Sequence, residues 1–148
     1  MSEHRAIVRS GPGGVSVALR PTPAPGPGEL SVAPLCAGLC GTDIQMLRGL
    51  RDDTAPVIGH EGVARVMAAG EGVPDRFTPG TLVAVNPTHP TDPAFLLGHN
   101  VDGLLQERTL LPATAVSGGM VLDLPAHTDL GLAPLLEPLA VVRYALGE

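Results

Sequence analysis

Apolar and polar residues alternate along this chain in short runs, each closed by glycine or proline. Arg5–Arg9 and Val15–Leu19 predict two strands around Ser10-Gly-Pro-Gly-Gly14, a hairpin with a loop longer than the tightest turns. Glu29–Pro34 predicts a third strand. Pro56–Gly70 and Pro79–Val85 are rich in β-branched residues and bounded by turn formers, and they predict two more. Leu104–Leu111 and Val121–Leu124 resume the strand pattern. Helical spacing occurs twice. Ile44, Leu47 and Leu50 share one face behind Thr42 or Asp43 as N-cap, and Ala133–Leu146 forms the second candidate. Pro21–Gly28 reads as an extended surface loop. Asn86–Gly103 is irregular and carries His89 and His99 among three prolines; loops of that length are often functional. Many short strands, two short helices and no internal repeat predict a mainly β, barrel-like domain.

Composition sharpens this picture. The 148 residues suit one domain and leave no room for a second of ordinary size. Glycine and proline number 19 and 16 without a fixed period, which excludes collagen and disfavours long helices. Aromatic residues are only 2%, so Leu, Val and Ala must build the core. A net charge of −6 and a pI near 5.2 argue against a nucleic-acid partner. No run reaches the ~18 apolar residues of a membrane span. The richest segment, Leu130–Leu146, is interrupted by Glu137, Pro138 and Arg143. The first residues lack the basic start and apolar stretch of a signal peptide. Two cysteines make no disulfide framework, and the expected compartment is the reducing cytoplasm.

Candidate chemistry centres on few residues. Cys36 and Cys40 are spaced to chelate a metal or to pack as small buried hydrophobes. Two thiols alone do not complete a tetrahedral site. His60 lies in Gly59-His60-Glu61, where the glycine permits close backbone approach and the carboxylate can supplement a ligand. Cys40, His60 and a carboxylate would combine soft, borderline and hard donors, a mixture that suits catalytic zinc.

Several motifs together resemble the zinc-dependent medium-chain alcohol, sorbitol and threonine dehydrogenases. They are Pro25-Gly-Pro-Gly-Glu29, Cys40-Gly-Thr-Asp43, Gly59-His-Glu61, Gly70-x-x-Val73, Pro79-Gly-Thr-Leu-Val83, Asp102-Gly103 with Glu107, and Glu137-Pro-Leu-Ala140. The resemblance covers almost the whole chain and implies the family's catalytic domain, a GroES-like, partly open β-barrel over residues 1–132. Residues 133–148 would begin the helix leading toward a nucleotide-binding Rossmann domain absent from this sequence. The resemblance makes Cys40 and His60 ligands of one catalytic zinc. It makes Glu61 and Glu137 ligand or near-ligand carboxylates, Thr42 the start of a proton relay, and Asp43 the carboxylate that orients the histidine. It implies a small alcohol, polyol or sugar-like substrate, and hydride transfer between that substrate and NAD or NADP.

Three departures qualify the resemblance. Ala64 stands where the family carries a glycine. Asn86–Gly103 has no cysteine, so no structural zinc is expected, and His89 and His99 are read there as loop residues. No Gly-x-Gly-x-x-Gly lies between a strand and a helix. The expected protein is therefore a fragment of a dehydrogenase, an excised domain or one half of a split enzyme, with the Rossmann domain supplied in cis or in trans. The alternative is a stand-alone zinc-binding module without redox activity. Left without a partner domain, the apolar face of Ala133–Leu146 would be exposed and could drive homo-oligomerisation.

Overall fold

The computed structural model describes residues 2–147. It is mainly β, with 32% strand and 17% helix. Strands β1 (Glu3–Arg9) and β2 (Val15–Pro21) form the predicted hairpin, in antiparallel register from Glu3–Pro21 to Arg9–Val15. A five-stranded antiparallel sheet carries the rest, in the order β6-β3-β4-β5-β7. Its members are β3 (Leu30–Ala37), β4 (Gly62–Ala69), β5 (Leu82–Val85), β6 (Thr109–Leu111) and β7 (Val121–Leu124). Both sheets are open rather than closed into a ring, in keeping with the partly open barrel expected. Among the described residues no helix is long and apolar enough to cross a membrane.

The core lies against the larger sheet and is aliphatic, as the scarcity of aromatics requires. Leu30, Val32, Ala64, Val66, Val83, Leu97, Leu104 and Leu111 are buried there, and both phenylalanines, Phe77 and Phe95, join them. Ala64 sits inside β4 with an ordinary negative φ, so the chain needs no glycine at this position.

Several boundaries differ from the sequence expectation. The first helix, α1, spans Gly41–Leu47 and is capped by Cys40, with Asp43 in its third position. Neither Thr42 nor Asp43 is the cap, because the Asp43 carboxylate reaches back to the Cys40 N–H. Residues 56–61 are not strand. Val57, Ile58 and Gly59 instead give their carbonyls to the N–H groups of Gly103, Leu105 and Leu104. That pairing also keeps residues 104–108 out of β6. A five-residue helix, α2 (Ala113–Ser117), follows β6 and was not anticipated. The last predicted helix divides into a 3-10 turn, Ala133–Leu135, and α3, Leu136–Ala145. As expected, α3 buries no residue against the rest of the chain.

Three of the motifs singled out in the sequence hold the scaffold. Gly70 donates to the Glu29 carbonyl at 2.9 Å, and Gly28 donates to Glu71 at 2.8 Å, closing Pro25–Glu29 against the end of β4. Glu107 and Asp102 pair with Arg5 and Arg20 respectively, tying the β6 approach to the hairpin.

Candidate metal centre

The candidate site forms where β3 ends and β4 begins. These neighbouring antiparallel strands pair Ala37 with Gly62, so the chain just beyond one and just before the other must meet. Cys40 follows β3 by three residues, and His60 and Glu61 directly precede β4. Gly38 donates to the Glu61 carbonyl at 2.7 Å, and a Cβ on Gly38 would stand 2.9 Å from Glu61 Oε2. Only a residue without a side chain leaves the Glu61 carboxylate its place.

Ligand atoms of Cys40, His60 and Glu61 all lie within 4.8 Å of one another. His60 is buried, while Cys40 and Glu61 are half-buried, so the cluster is neither sealed nor merely superficial. The thiols of Cys36 and Cys40 are both free. Thiolate, imidazole and carboxylate form the donor set of an open zinc site, in which three protein ligands leave a further position for water or substrate.

Asp43 organises this cluster from beneath. The side chain is wholly buried. Oδ2 accepts the Cys40 N–H at 2.9 Å, and Oδ1 accepts the Gly59 N–H at 3.2 Å. Oδ1 also lies 3.7 Å from His60 Nδ1, too long for a hydrogen bond but close enough to attract a proton there. Gly59 adopts φ +94°, a conformation that side chains resist, and this turns His60 toward Cys40. Burial pushes the His60 pKa below the ordinary histidine range, against the opposing pull of Asp43. Two polar atoms at the site have no hydrogen-bond partner although buried, Thr42 Oγ1 and His60 Nδ1. A buried hydroxyl without a partner is costly unless something the site binds completes it.

Glu137 lies outside the 4.8 Å group. It is nevertheless close enough that the Glu61 charge, added to burial, raises its pKa. The structure thus brings Cys40, His60, Glu61 and Asp43 together and sets Glu137 at their margin. Cys36 departs from its expected buried role. A register irregularity between Pro34 and Cys36 turns it to the exposed surface. His89 organises its own loop, accepting the Thr91 and Asp92 N–H groups at Nδ1.

His99 lies in the loop where the sequence reading put it, but its contact with the site was missed. It is buried, and its ring centroid lies 5.0 Å from that of His60. The only sequence signal was a histidine within a long irregular segment. The cleft lined by Ser2, Glu3, His4, Thr22, Glu107 and Arg108 includes none of these residues.

Open β-sheets that bring a thiol, an imidazole and a carboxylate to one strand junction are in keeping with a zinc-type dehydrogenase GroES-like domain. The chain belongs to the zinc-dependent medium-chain dehydrogenases through their alcohol dehydrogenase GroES-like domain, whose sequence pattern matches residues 26–120. It is 34% identical over 138 aligned residues to a glucose 1-dehydrogenase of Thermoproteus tenax, covering 83% of this chain and 38% of that protein. A sorbitol dehydrogenase of Halalkalibacterium halodurans is 28% identical over 156 residues, covering 97% and 46%. The fold superposes with TM-score 0.86 on a putative zinc-binding dehydrogenase from Sinorhizobium meliloti bound to NADP. That pair is 28% identical and covers 99% of this chain and 46% of the other. The chain spans less than half the length of these relatives.

Proposed function

We propose that this chain is the zinc-binding catalytic domain of an NAD(P)-dependent dehydrogenase of alcohols, polyols or sugar-like substrates. The observation that carries the reading is the Cys40–His60–Glu61 cluster, with its ligand atoms within 4.8 Å of one another at the β3–β4 junction. Names of the relatives support the substrate class, since they include glucose 1-dehydrogenase and sorbitol dehydrogenase.

In this reading Cys40, His60 and Glu61 would hold the metal, and Asp43 holds the Cys40 and Gly59 backbone that carries two of them. Bound zinc supplies Lewis-acid polarisation of a substrate oxygen and lowers the pKa of an alcohol there. Thr42 Oγ1, buried without a partner, accepts the hydroxyl proton and hands it toward water. Glu137, whose carboxyl is held above the usual range, offers a protonatable group beside Glu61. A nicotinamide cofactor, when bound by a Rossmann domain supplied in cis or in trans, would supply the hydride-accepting chemistry. The exposed apolar residues of α3, Leu136, Leu139, Val141 and Val142, support a packing partner at the end of the described domain. The domain division at residue 132 and a cytoplasmic location belong to the same proposal.

Metal analysis and turnover of the full-length protein test it together. One zinc per chain is expected at this site, lost in Cys40→Ala and His60→Ala. Oxidation of at least one alcohol, polyol or aldose with NAD+ or NADP+ is expected, and it should fall with the metal. Zinc bound with unchanged stoichiometry in both variants would overturn the assignment.

A further inference from the structure

We propose that His99 is a positioning residue for the metal centre: its imidazole packs on the His60 ring and restrains it, while Asp53 holds His99 in place. The inference rests on reading Cys40, His60 and Glu61 as the metal site.

The argument begins in the loop of residues 86–103. Leu97 bridges Val101 in parallel, and the His99 N–H donates to the Leu96 carbonyl at 3.1 Å. Gly98, at φ +74°, turns the chain tightly against the Gly59 backbone; a Cβ there would stand 2.9 Å from the Gly59 carbonyl oxygen. The result drives His99 inward, to 6% exposure, and tilts its ring 37° to that of His60 at 5.0 Å between centroids.

His60 needs such a restraint. Its Nδ1 makes no hydrogen bond, and Asp43 stands 3.7 Å away. Ring rotation is therefore limited chiefly by what packs on it, and His99 supplies an aromatic face for that purpose.

His99 is itself tethered. Its Nδ1 lies 3.3 Å from Asp53 Oδ1, off the alignment of a good hydrogen bond, and its carbonyl accepts the Ala55 N–H at 2.7 Å. Arg51 pairs with the Asp53 carboxylate. Arg9 of β1 donates to the carbonyls of Asp53 at 2.6 Å and Ala55 at 2.8 Å. The support thus runs from the hairpin through the 53–55 segment to the metal-ligand histidine. An aliphatic residue would fill the same space at lower desolvation cost, but it could not be held by Asp53.

Groups that orient a metal ligand typically contribute roughly 10–100-fold in metal affinity. The test is zinc affinity by chelator competition, with the visible spectrum of the cobalt-substituted protein, in the full-length protein. His99→Ala is expected to weaken zinc roughly tenfold or more and to shift the cobalt bands. His99→Phe, which keeps a ring but loses the tether, should lie between Ala and wild type. Asp53→Asn should weaken zinc severalfold alone and cost nothing further once His99→Phe is present. Should His99→Ala fail to fold, the Asp53→Asn and His99→Phe cycle decides the question by itself. Native zinc affinity and an unmoved cobalt spectrum in Asp53→Asn, or equal losses from it with and without His99→Phe, would overturn the proposal. A wild-type protein that binds no zinc overturns the metal reading beneath it, a distinguishable result.

Discussion

Asp43 Oδ1 lies 3.7 Å from His60 Nδ1, and the carboxylate that carries it is wholly buried. Its other oxygen is held by the Cys40 N–H, so one side chain addresses two of the three clustered residues. This economy makes Asp43 the most informative position to alter.

Asp43→Asn keeps the shape but points an amide N–H2 at a backbone donor, either Cys40 or Gly59. Leaving a buried N–H unpaired costs about 1–3 kcal/mol. Denaturant unfolding of the metal-free protein should show that loss. Chelator competition should show zinc bound roughly 10–100-fold more weakly. Unchanged values in both would mean that the carboxylate does not organise the site.

The lowered His60 pKa gives a pH dependence with a definite sign. Between its folded pKa and the unfolded value near 6.5, the unfolded chain binds more protons than the folded one. Stability of the metal-free protein should therefore be full above pH 6.5 and decline as pH falls through the folded pKa. His60→Asn should flatten that part of the profile, as read from denaturation midpoints between pH 5 and 7.5 (roughly the histidine range). A profile identical to wild type would exclude His60 as its source.

The two glutamates should differ. Glu61 belongs to the 4.8 Å group and Glu137 does not. Glu61→Gln is expected to weaken zinc by tenfold or more, in the usual range of roughly 10–100-fold for groups at a metal, and Glu137→Gln by much less. Glu137→Gln should instead remove one acidic ionisation from the pH–rate profile of the complete enzyme. Equal effects on metal affinity would place both carboxylates on the ion.

Gly103→Ala tests the backbone support. A Cβ there would meet the Ile58 carbonyl carbon and oxygen at 2.6 Å, where nothing can yield but main chain. Overpacking of this kind costs about 1–3 kcal/mol, and the displaced segment leads directly into His60. Thermal unfolding should show the loss, together with weaker zinc binding.

Much of this was legible because the relevant signals are local. The hairpin followed from alternation and turn residues, and Cys40, Asp43, His60 and Glu61 lie in two short motifs that strand pairing brings together. Gly70 and Glu29 were readable as residues of two separate motifs, and only the structure shows the hydrogen bond that joins them. What escaped depended on distant chain. Residues 56–61 have strand-like composition, but their carbonyls are taken by Gly103, Leu104 and Leu105, more than forty positions on. His99 reaches His60 through the folding of a proline-rich loop, which leaves no periodic trace. Cys36 looks apolar in sequence and is exposed because the register slips beside it. The short helix α2 has only five residues, too few for a repeating pattern.

The bond from Gly59 to Asp43 has a consequence for how metal enters. Cys40 and His60 are separated by a stretch whose ends must be brought together before both can grip one ion, and ordering such a loop has an entropic cost. Here the protein's own hydrogen bonds already close it, through Asp43 at one end and the 103–105 backbone at the other. Zinc would thus arrive at a finished clasp rather than drawing one shut, unlike the small domains that fold only around their ion. A chelator should strip the chemistry from this protein and leave its architecture standing.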